Sequence, residues 1–478
     1  MDPIWTDGIV LPHFPTLQKD LQTDVAVIGG GFAGILTAYF LQKRGLQTVI
    51  LEAATIASGQ SGRTTAKITS QHGLIYSRLY DNFGEKTMRG YAAAHENAIR
   101  AYAALIEQEH IDCDFERRPA CLYTTRVPEI LKREQSLATL CGIHAALRTK
   151  SELPFPVAGV LQYENQASFH PQKFIGALAA GLEIYENTRV LSVEGHMLTT
   201  DHAHVQAKNI VFACHYPFVN VPGFYFARMH QERSYVLALQ GAASLQGMYY
   251  GIDPDGYSFR PAGRYLLLGG GNHRAGENDA GGAYQALQTA AGQFFPGATV
   301  IRQWSAQDCM TPDGIPYIGQ YAASTPDWYV ATGFGKWGMT SSMVAAQLIS
   351  DLICDGKSPY AGIFDPGRFT VTESARAVAA EMAHAVKGLA KGAFHIPQKT
   401  LDSLPMGHGG VIEFEGQRAG VYRDEQGKIY AVNVRCPHLG CELAWNPDEK
   451  SWDCPCHGSR FDYCGNLLDN PAQTGIQL

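Results

Sequence analysis

Two short cysteine and histidine arms near the end of the chain carry its most specific chemistry. Cys436-Pro437-His438-Leu439-Gly440-Cys441 is followed, 16 positions after His438, by Cys454-Pro455-Cys456-His457-Gly458-Ser459. Thiolates and imidazoles alternating on two loops are metal donors, and zinc is one metal they could take. A tetrahedral zinc site does not call for a Cys-x-His arm and a Cys-x-x-His arm with an extra cysteine on each. The pattern fits a 2Fe-2S centre of mixed ligation, in which Cys436 and Cys454 hold one iron and His438 and His457 hold the other. Neutral imidazoles in place of two thiolates raise the reduction potential of such a centre.

A second constellation lies at the other end, in Thr23 to Glu52. Val25, Val27 and Ile28 form an apolar, β-branched run of the kind found in buried parallel strands, and Gly29, Gly31 and Gly34 follow at GxGxxG spacing. Gly29 permits a tight turn, Gly31 lets the backbone approach a pyrophosphate, and Gly34 lets helix and strand pack closely. Phosphates then sit at the positive end of the helix that opens at Phe32 and Ala33. The helix runs from Phe32 to Arg44, and Gly45 supplies a left-handed C-cap. A second strand, Thr48 to Leu51, leads to Glu52 and Ala53. Glu52, 21 residues after Gly31, is placed to accept hydrogen bonds from ribose hydroxyls, and its charge disfavours a 2′-phosphate. The bland alternative is a glycine-rich turn without a ligand.

At 478 residues the chain is long enough for two or three domains with cores of their own. A net charge of −7 without a basic tract argues against nucleic acid as a partner. No apolar run is long enough to span a bilayer, and MDPIWTDGIVLPHF lacks the basic region and apolar core of a signal peptide. The expected compartment is the cytoplasm. Of the 11 cysteines, Cys113, Cys121, Cys141, Cys214, Cys309 and Cys354 are scattered singly, as reduced thiols usually are. The other five, Cys436, Cys441, Cys454, Cys456 and Cys464, crowd into the C-terminal segment.

Between the two constellations the elements alternate. The loop Ala57 to Thr69 (ASGQSGRTTAKIT) is small and polar, so that Ser61, Gly62, Arg63, Thr64 and Thr65 suit close contact with a flat ligand. Arg63 and Lys67 are its only charges; either they are solvated, or one of them faces a cofactor ring. Apolar residues from Met88 to Ile106 recur at helical spacing between Thr87 and His110. Asn209 to Ala213 is another buried strand. A hairpin over Tyr257 to Leu268 turns at Pro261-Ala262-Gly263-Arg264, ends at Gly269 to Gly271, and carries Arg260 on its first strand. Trp328 to Thr332 is a strand leading through Gly333, Gly335, Trp337 and Gly338 to Met339 and Thr340, where a helix begins and offers its positive end to an electron-rich group. Ser374 to Leu389 is Ala-rich and amphipathic, with Ser374 as cap and Lys391-Gly392 as stop, and is expected to be a helical connector. Membrane-surface binding is its alternative, weakened by a face built of small alanines.

The fingerprint at Gly29 to Glu52, the SGRTTAKIT loop, Thr311 to Gly319 (TPDGIPYIG) and the turn ATGFGKWGMTSS together resemble the FAD-dependent D-amino-acid oxidase and glycine oxidase superfamily, over about Leu21 to Cys354. The resemblance implies an α/β, Rossmann-like FAD-binding domain of the doubly wound type and an α+β substrate domain built on an antiparallel sheet. It places FAD-binding segments at about 20–86, 155–215 (with Val190) and 300–356, substrate-domain segments at about 87–154 and 216–299, and a connector at 357–399. It also implies oxidation of a C–N bond in an amine or amino acid. Lys67, Arg260 and Trp337 are then the candidate catalytic residues. Arg260 is the first choice for a substrate carboxylate and Arg233 or Arg274 the next. Cys309 or His72 is a candidate for covalent attachment of the flavin.

Residues 400–478 resemble Rieske domains, an all-β fold, of the cytochrome bc type. This implies a disulfide between Cys441 and Cys456, a hydrogen bond from Ser459 to cluster sulfur and, with Phe461 where high-potential members have tyrosine, a lowered potential. Rieske oxygenases need a further iron on two histidines and a carboxylate, and no well-spaced set is evident. A flavin that takes two electrons beside a cluster that passes one suggests a dehydrogenase relaying electrons to an acceptor protein or quinone-like acceptor. The rival expectations are an NAD(P)H-driven electron-transfer component, disfavoured by the lack of a second nucleotide fingerprint, and an oxygen-using oxidase whose Rieske domain is a redox sensor.

Overall fold

The computed structural model of the chain describes residues 2–368, 401–414 and 417–478. The connector helix expected at Ser374 to Leu389 lies outside these residues.

The strand Leu21–Ile28 is the centre of the first sheet, and its last four residues are buried on both faces, as a central parallel strand requires. It pairs in parallel with Thr48–Leu51 (Val25 opposite Thr48, Val27 opposite Ile50) and with His204–Phe212 (Ile28 opposite Phe212). Ile184–Tyr185 extends one side and Thr325–Thr332, also parallel, the other. Antiparallel edges are supplied by Tyr317–Ala322 and by Val190–Glu194 with Met197–Thr200. Between strand and helix, Gly29 takes φ +112 and Gly34 comes so close that a Cβ on it would lie 1.9 Å from the Gly29 carbonyl oxygen. The helix Phe32–Lys43 thus packs directly on its own strand. It also packs against Gly338–Asp355, whose N-cap is Trp337 and whose C-cap Gly356 is left-handed.

The second sheet has eight strands in the order Thr299–Met310, His230–Gln240, Tyr265–Arg274, Ser258–Ala262, Met248–Gly251, Ala120–Thr124, Gly159–Tyr163 and Ala145–Arg148. All neighbours are antiparallel except Met248–Gly251 beside Ala120–Thr124. Gly159–Tyr163 and Thr299–Met310 therefore belong to this sheet, although both fall in segments expected to bind the cofactor. The hairpin turn is tighter than its sequence suggests. Pro261 and Ala262 remain in the first strand, Gly263 (φ +57) and Arg264 make the turn, and the second strand runs through Gly269 to Gly271 as far as Arg274. The helix expected from Thr87 is the second part of Ile75–Gln108, broken by Gly84 at φ +77.

The C-terminal domain is two small antiparallel sheets. His408–Phe414, Gln417–Arg423 and Ile429–Val432 form one, and Ala444–Asn446, Ser451–Asp453, Arg460–Asp462 and Leu467–Asp469 the other. Its aromatic centre stacks Tyr422 on Trp445 (5.1 Å) and sets Trp452, fully buried, beside Trp445 (5.0 Å). No helix among the described residues is long and apolar enough to cross a membrane.

Candidate functional site

A cavity of about 400 Å³ opens where the first sheet's parallel strands end. Gly29, Gly31, Phe32 and Ala33 line it from the glycine turn, Glu52 and Ala53 from the second strand, and Ser61, Arg63, Thr64 and Thr65 from the polar loop. Val190 lines it as well, as do Gly333, Gly335, Gly338 and Met339 from the turn before the last helix. Ser61 Oγ accepts from Phe32 N (3.0 Å), and a Cβ on Gly31 would lie 2.8 Å from that oxygen, so a larger residue there would have to displace the Ser61 hydroxyl from this bond. This shape fits a dinucleotide. Three expected contact residues sit behind the wall instead. Gly34 is spent on helix packing, a Cβ on Gly62 would meet the Ala57 carbonyl (2.3 Å), and Thr340 Oγ1 donates to Thr69 O (2.9 Å).

Charge in the cavity is tightly held. Glu52 accepts from Gly30 N (2.7 Å) and Ala54 N (2.9 Å), although burial pushes its carboxyl up. Lys67 lines the cavity, donates to Tyr249 O (3.3 Å), and is pushed down to about 7 by burial and by the nearby Arg260. Lys336, which the sequence did not single out, bridges Asp308 (3.0 Å) and Glu232 (3.2 Å) on adjacent strands of the second sheet. Trp337 lines the cavity with Tyr250 edge-on at 5.3 Å and His72 stacked behind it at 4.9 Å.

The expectation of a carboxylate-binding Arg260 is corrected. Arg260 does not line the cavity; it donates to Phe169 O (2.8 Å) and lies over the Trp5 ring at 4.9 Å. Arg233 and Arg274 are also elsewhere, one bonded to Glu449 and the other near the carbonyls of Pro455 and Cys456. His72 is likewise unsuited to flavin attachment. It is shielded by Trp337, and its ring nitrogens lie 2.7 Å from Tyr91 Oη and 2.7 Å from Thr69 O. Cys309 does reach the cavity wall, with its thiol pushed up to about 12 by burial.

At the other constellation the four expected ligands do not converge on one point. The thiols of Cys436 and Cys454 meet as a hydrogen-bonded pair, and the rings of His438 and His457 meet 4.9 Å apart. Two metal positions, not one tetrahedral ion, fit this division. The His438 Nδ1 atom is buried without a partner, whereas Nε2 donates to Asn220 Oδ1 (2.9 Å). That leaves the Nδ1 lone pair free for iron. The hydrogen bond from Cys454, together with backbone N–H groups of His438 and Leu439, holds the Cys436 thiol below its ordinary value. Cys441 and Cys456 are joined by a disulfide across the two loops, with Cα atoms 6.5 Å apart.

The cluster loops are docked on the first module. Gln231 Nε2 donates to His457 O (2.7 Å), Gln307 Nε2 to Gly458 O (2.8 Å), and Asn470 Nδ2 to Cys214 O (2.8 Å) and Tyr216 O (2.7 Å). Phe226 stands 5.8 Å from the His457 ring. Sequence reasoning missed these residues because isolated amides far apart in the chain carry no spacing signal.

Phe461 is fully buried in the same apolar cluster as Cys436 and Cys454. Phe461→Tyr is expected to raise the cluster's midpoint potential by about 40–60 mV, one hydrogen bond of about 1 kcal/mol in a one-electron couple. A redox titration followed by EPR measures it, and an unchanged potential would mean the hydroxyl finds no ligand sulfur.

The family model for FAD dependent oxidoreductases matches residues 24–352, and that for the Rieske [2Fe-2S] domain matches residues 396–478. The chain is 37% identical to YhfW of Bacillus subtilis (strain 168), named as a Rieske 2Fe-2S iron-sulfur protein, across 98% of this chain and 95% of that one. It is 22% identical to the gamma-glutamylputrescine oxidoreductase of Escherichia coli (strain K12), across 71% of this chain and 85% of that one. Among solved structures, L-proline dehydrogenase from P. horikoshii superimposes with a TM-score of 0.64 at 18% identity, covering 73% of this chain and 98% of that one. FAD and a 2Fe-2S cluster are accordingly the two cofactors. The glycine cradle and the paired thiols and imidazoles fit them, and the chain belongs to the FAD-dependent oxidoreductases of the D-amino-acid oxidase type, with a Rieske domain at its C-terminal end.

Proposed function

We propose that this oxidoreductase is an amine or amino-acid dehydrogenase that oxidises a C–N bond and passes the electrons singly to an external acceptor. FAD supplies a hydride acceptor and the 2Fe-2S cluster a one-electron carrier. The observation that carries the reading is a hydrogen-bonded line from cavity wall to cluster loop. His215 lines the cavity, its Nε2 lies 2.9 Å from Gln231 Oε1, and Gln231 Nε2 reaches the carbonyl of the cluster ligand His457. Gln307, also on the wall, runs in parallel to Gly458. A solvent-facing sensor would have no use for such a bridge.

The nitrogen-bearing substrate class is supported by the names of two relatives, gamma-glutamylputrescine oxidoreductase and L-proline dehydrogenase. At the cavity, Lys67 is poised to take the proton of an incoming ammonium and so free its lone pair. Trp337 and Tyr250 offer aromatic faces to the alkyl part or the cation. The amino end of Gly338–Asp355 directs positive potential into the cavity.

The test is an anaerobic titration with a panel of amines and amino acids, read by visible absorbance and low-temperature EPR. Bleaching of the flavin followed by a Rieske-type EPR signal is expected. Reduction by NADH or NADPH alone, or a cluster that stays oxidised behind a bleached flavin, would overturn the relay. Gln231→Leu is expected to leave flavin bleaching unchanged and to slow the rise of the EPR signal about fivefold, as loss of a buried hydrogen bond of roughly 1 kcal/mol implies.

A further inference from the structure

We propose that the flavin site is composite: the Rieske domain supplies one of its walls through Leu468, Asp469, Asn470 and Gln473, so that FAD binding and docking of that domain stabilise each other. These four residues line the same cavity as the glycine turn, from a strand end and loop more than 400 positions away in sequence. Two of them are fastened at the phosphate-binding end of that turn. Gln60 Nε2 donates to Asp469 Oδ1 (2.8 Å), and Gln60 adjoins Ser61, the acceptor of Phe32 N. Asn470 bonds the carbonyls of Cys214 and Tyr216, and a Cβ on Gly29 would meet Cys214 Cα at 3.1 Å.

The Asp469 carboxylate beside a pyrophosphate would be repulsive if it were free. It is not, because Arg460 Nη1 donates to it at 2.9 Å and the Arg63 guanidinium is near enough to lower its pKa. The wall therefore meets an anionic cofactor with a compensated charge and two side-chain amides. The rest of the interface holds it there: Asp448 accepts from Gly282 N and Ala283 N (both 3.0 Å), and a Cβ on Gly276 would lie 2.6 Å from Pro455 N. A ligand that fills a site complete only in the docked form must favour docking, and docking must tighten the ligand by the same factor. This linkage is independent of which substrate reduces the flavin and of where its electrons go.

Two measurements on the full chain test it. The first is hydrogen exchange of residues 467–473 in FAD-loaded protein and in protein from riboflavin-starved cells; exchange at least tenfold slower with FAD is expected, and equal rates overturn the proposal. The second is Gly276→Leu, a wedge that does not line the cavity. It is expected to keep the Rieske EPR signal and to raise the FAD dissociation constant about tenfold or more, read by flavin fluorescence on titration. Faster exchange at 467–473 with an FAD dissociation constant within twofold of the parent would overturn the proposal. If the wedge prevents folding, the exchange comparison on the native chain still decides.

Discussion

Glu449→Ala is expected to destabilise the docked protein by about 3–5 kcal/mol, the usual cost of removing one partner from a buried ion pair. Glu449 Oε2 accepts from Arg233 Nε (3.0 Å) and its Oε1 from Arg233 Nη2 (2.5 Å) and Arg460 Nη2 (2.9 Å). Arg233 belongs to the second sheet and is 0% exposed, so without Glu449 its guanidinium keeps the neutral partners Gln307 and Ser305 but loses its carboxylate. The loss falls on the interface as well as on the Rieske core, since Arg460 also binds Asp453 (3.0 Å) and Asp469 (2.9 Å). Burial alone would push the Glu449 carboxyl up, but the two guanidiniums overcome it and hold the group well below the usual carboxylate range. A depressed carboxyl stabilises the folded form above its unfolded pKa, and that contribution is lost only as pH falls through the folded value. The interface should therefore survive mild acid. Calorimetry with and without the substitution checks this, and a melting temperature unchanged by Glu449→Ala would show that the network contributes nothing net.

How much of this was legible in the chain depends on the range of the interaction. The glycine turn and the cysteine and histidine arms are local: their physics lies in spacing within one turn or loop, and Gly29, Gly34, Cys436 and Cys454 occupy the positions their spacing requires. The paired imidazoles were readable once the two arms were taken together, whereas the Cys441 to Cys456 disulfide came from the resemblance to Rieske domains of the cytochrome bc type. Arg260 was misread because a strand position specifies a face, not a depth. It follows Ser258 on the same face, yet only Ser258 reaches the cavity, while Arg260 is capped by Trp5 from the N-terminal segment. Gly159–Tyr163 falls in a segment expected to bind the cofactor, and its place in the second sheet was not legible for a similar reason, since its partners Ala120–Thr124 and Ala145–Arg148 are fixed by pairing that no local pattern records. The docking amides Asn220, Gln231, Gln307 and Asn470 are the extreme case. Each is an ordinary polar residue until the two modules meet.

Docking also changes what the cluster can do. In this arrangement His438 and His457 face Asn220 and Phe226 of the same chain, and His457 is only 4% exposed. The imidazole edge is turned toward the flavin module, the orientation that the proposed transfer within the molecule calls for. Tethering and a formed interface both raise the effective concentration of one centre at the other. In the proposed relay an external acceptor approaches another part of the cluster loops, of which Leu439 is 41% exposed.

Lys67→Met is expected to lower the rate of substrate-dependent flavin bleaching by on the order of 10²-fold while making the protein more stable. The two effects have one cause. Burial and the charge of Arg260 bring the folded-state pKa down to about 7, from an ordinary value of 10.5. Between those values the unfolded chain holds a proton that the folded chain does not, so this residue's contribution to stability rises with pH through the window and falls away toward pH 7. At pH 7.5 the penalty is about 4 kcal/mol at 1.36 kcal/mol per pH unit, and methionine, of similar length, removes it at the loss of the weak bond to Tyr249 O. A gain of about 2–3 kcal/mol in stability is expected at pH 7.5, shrinking as pH approaches 10. In the parent protein the bleaching rate should climb through a limb near pH 7 as Lys67 becomes a free base, in addition to any limb set by the substrate's own ammonium. The variant should lose the first limb and keep the second. A variant that retains the limb near pH 7 would assign that ionisation to another group, and one that melts lower than its parent would mean that Lys67 is charged and paired in the folded protein.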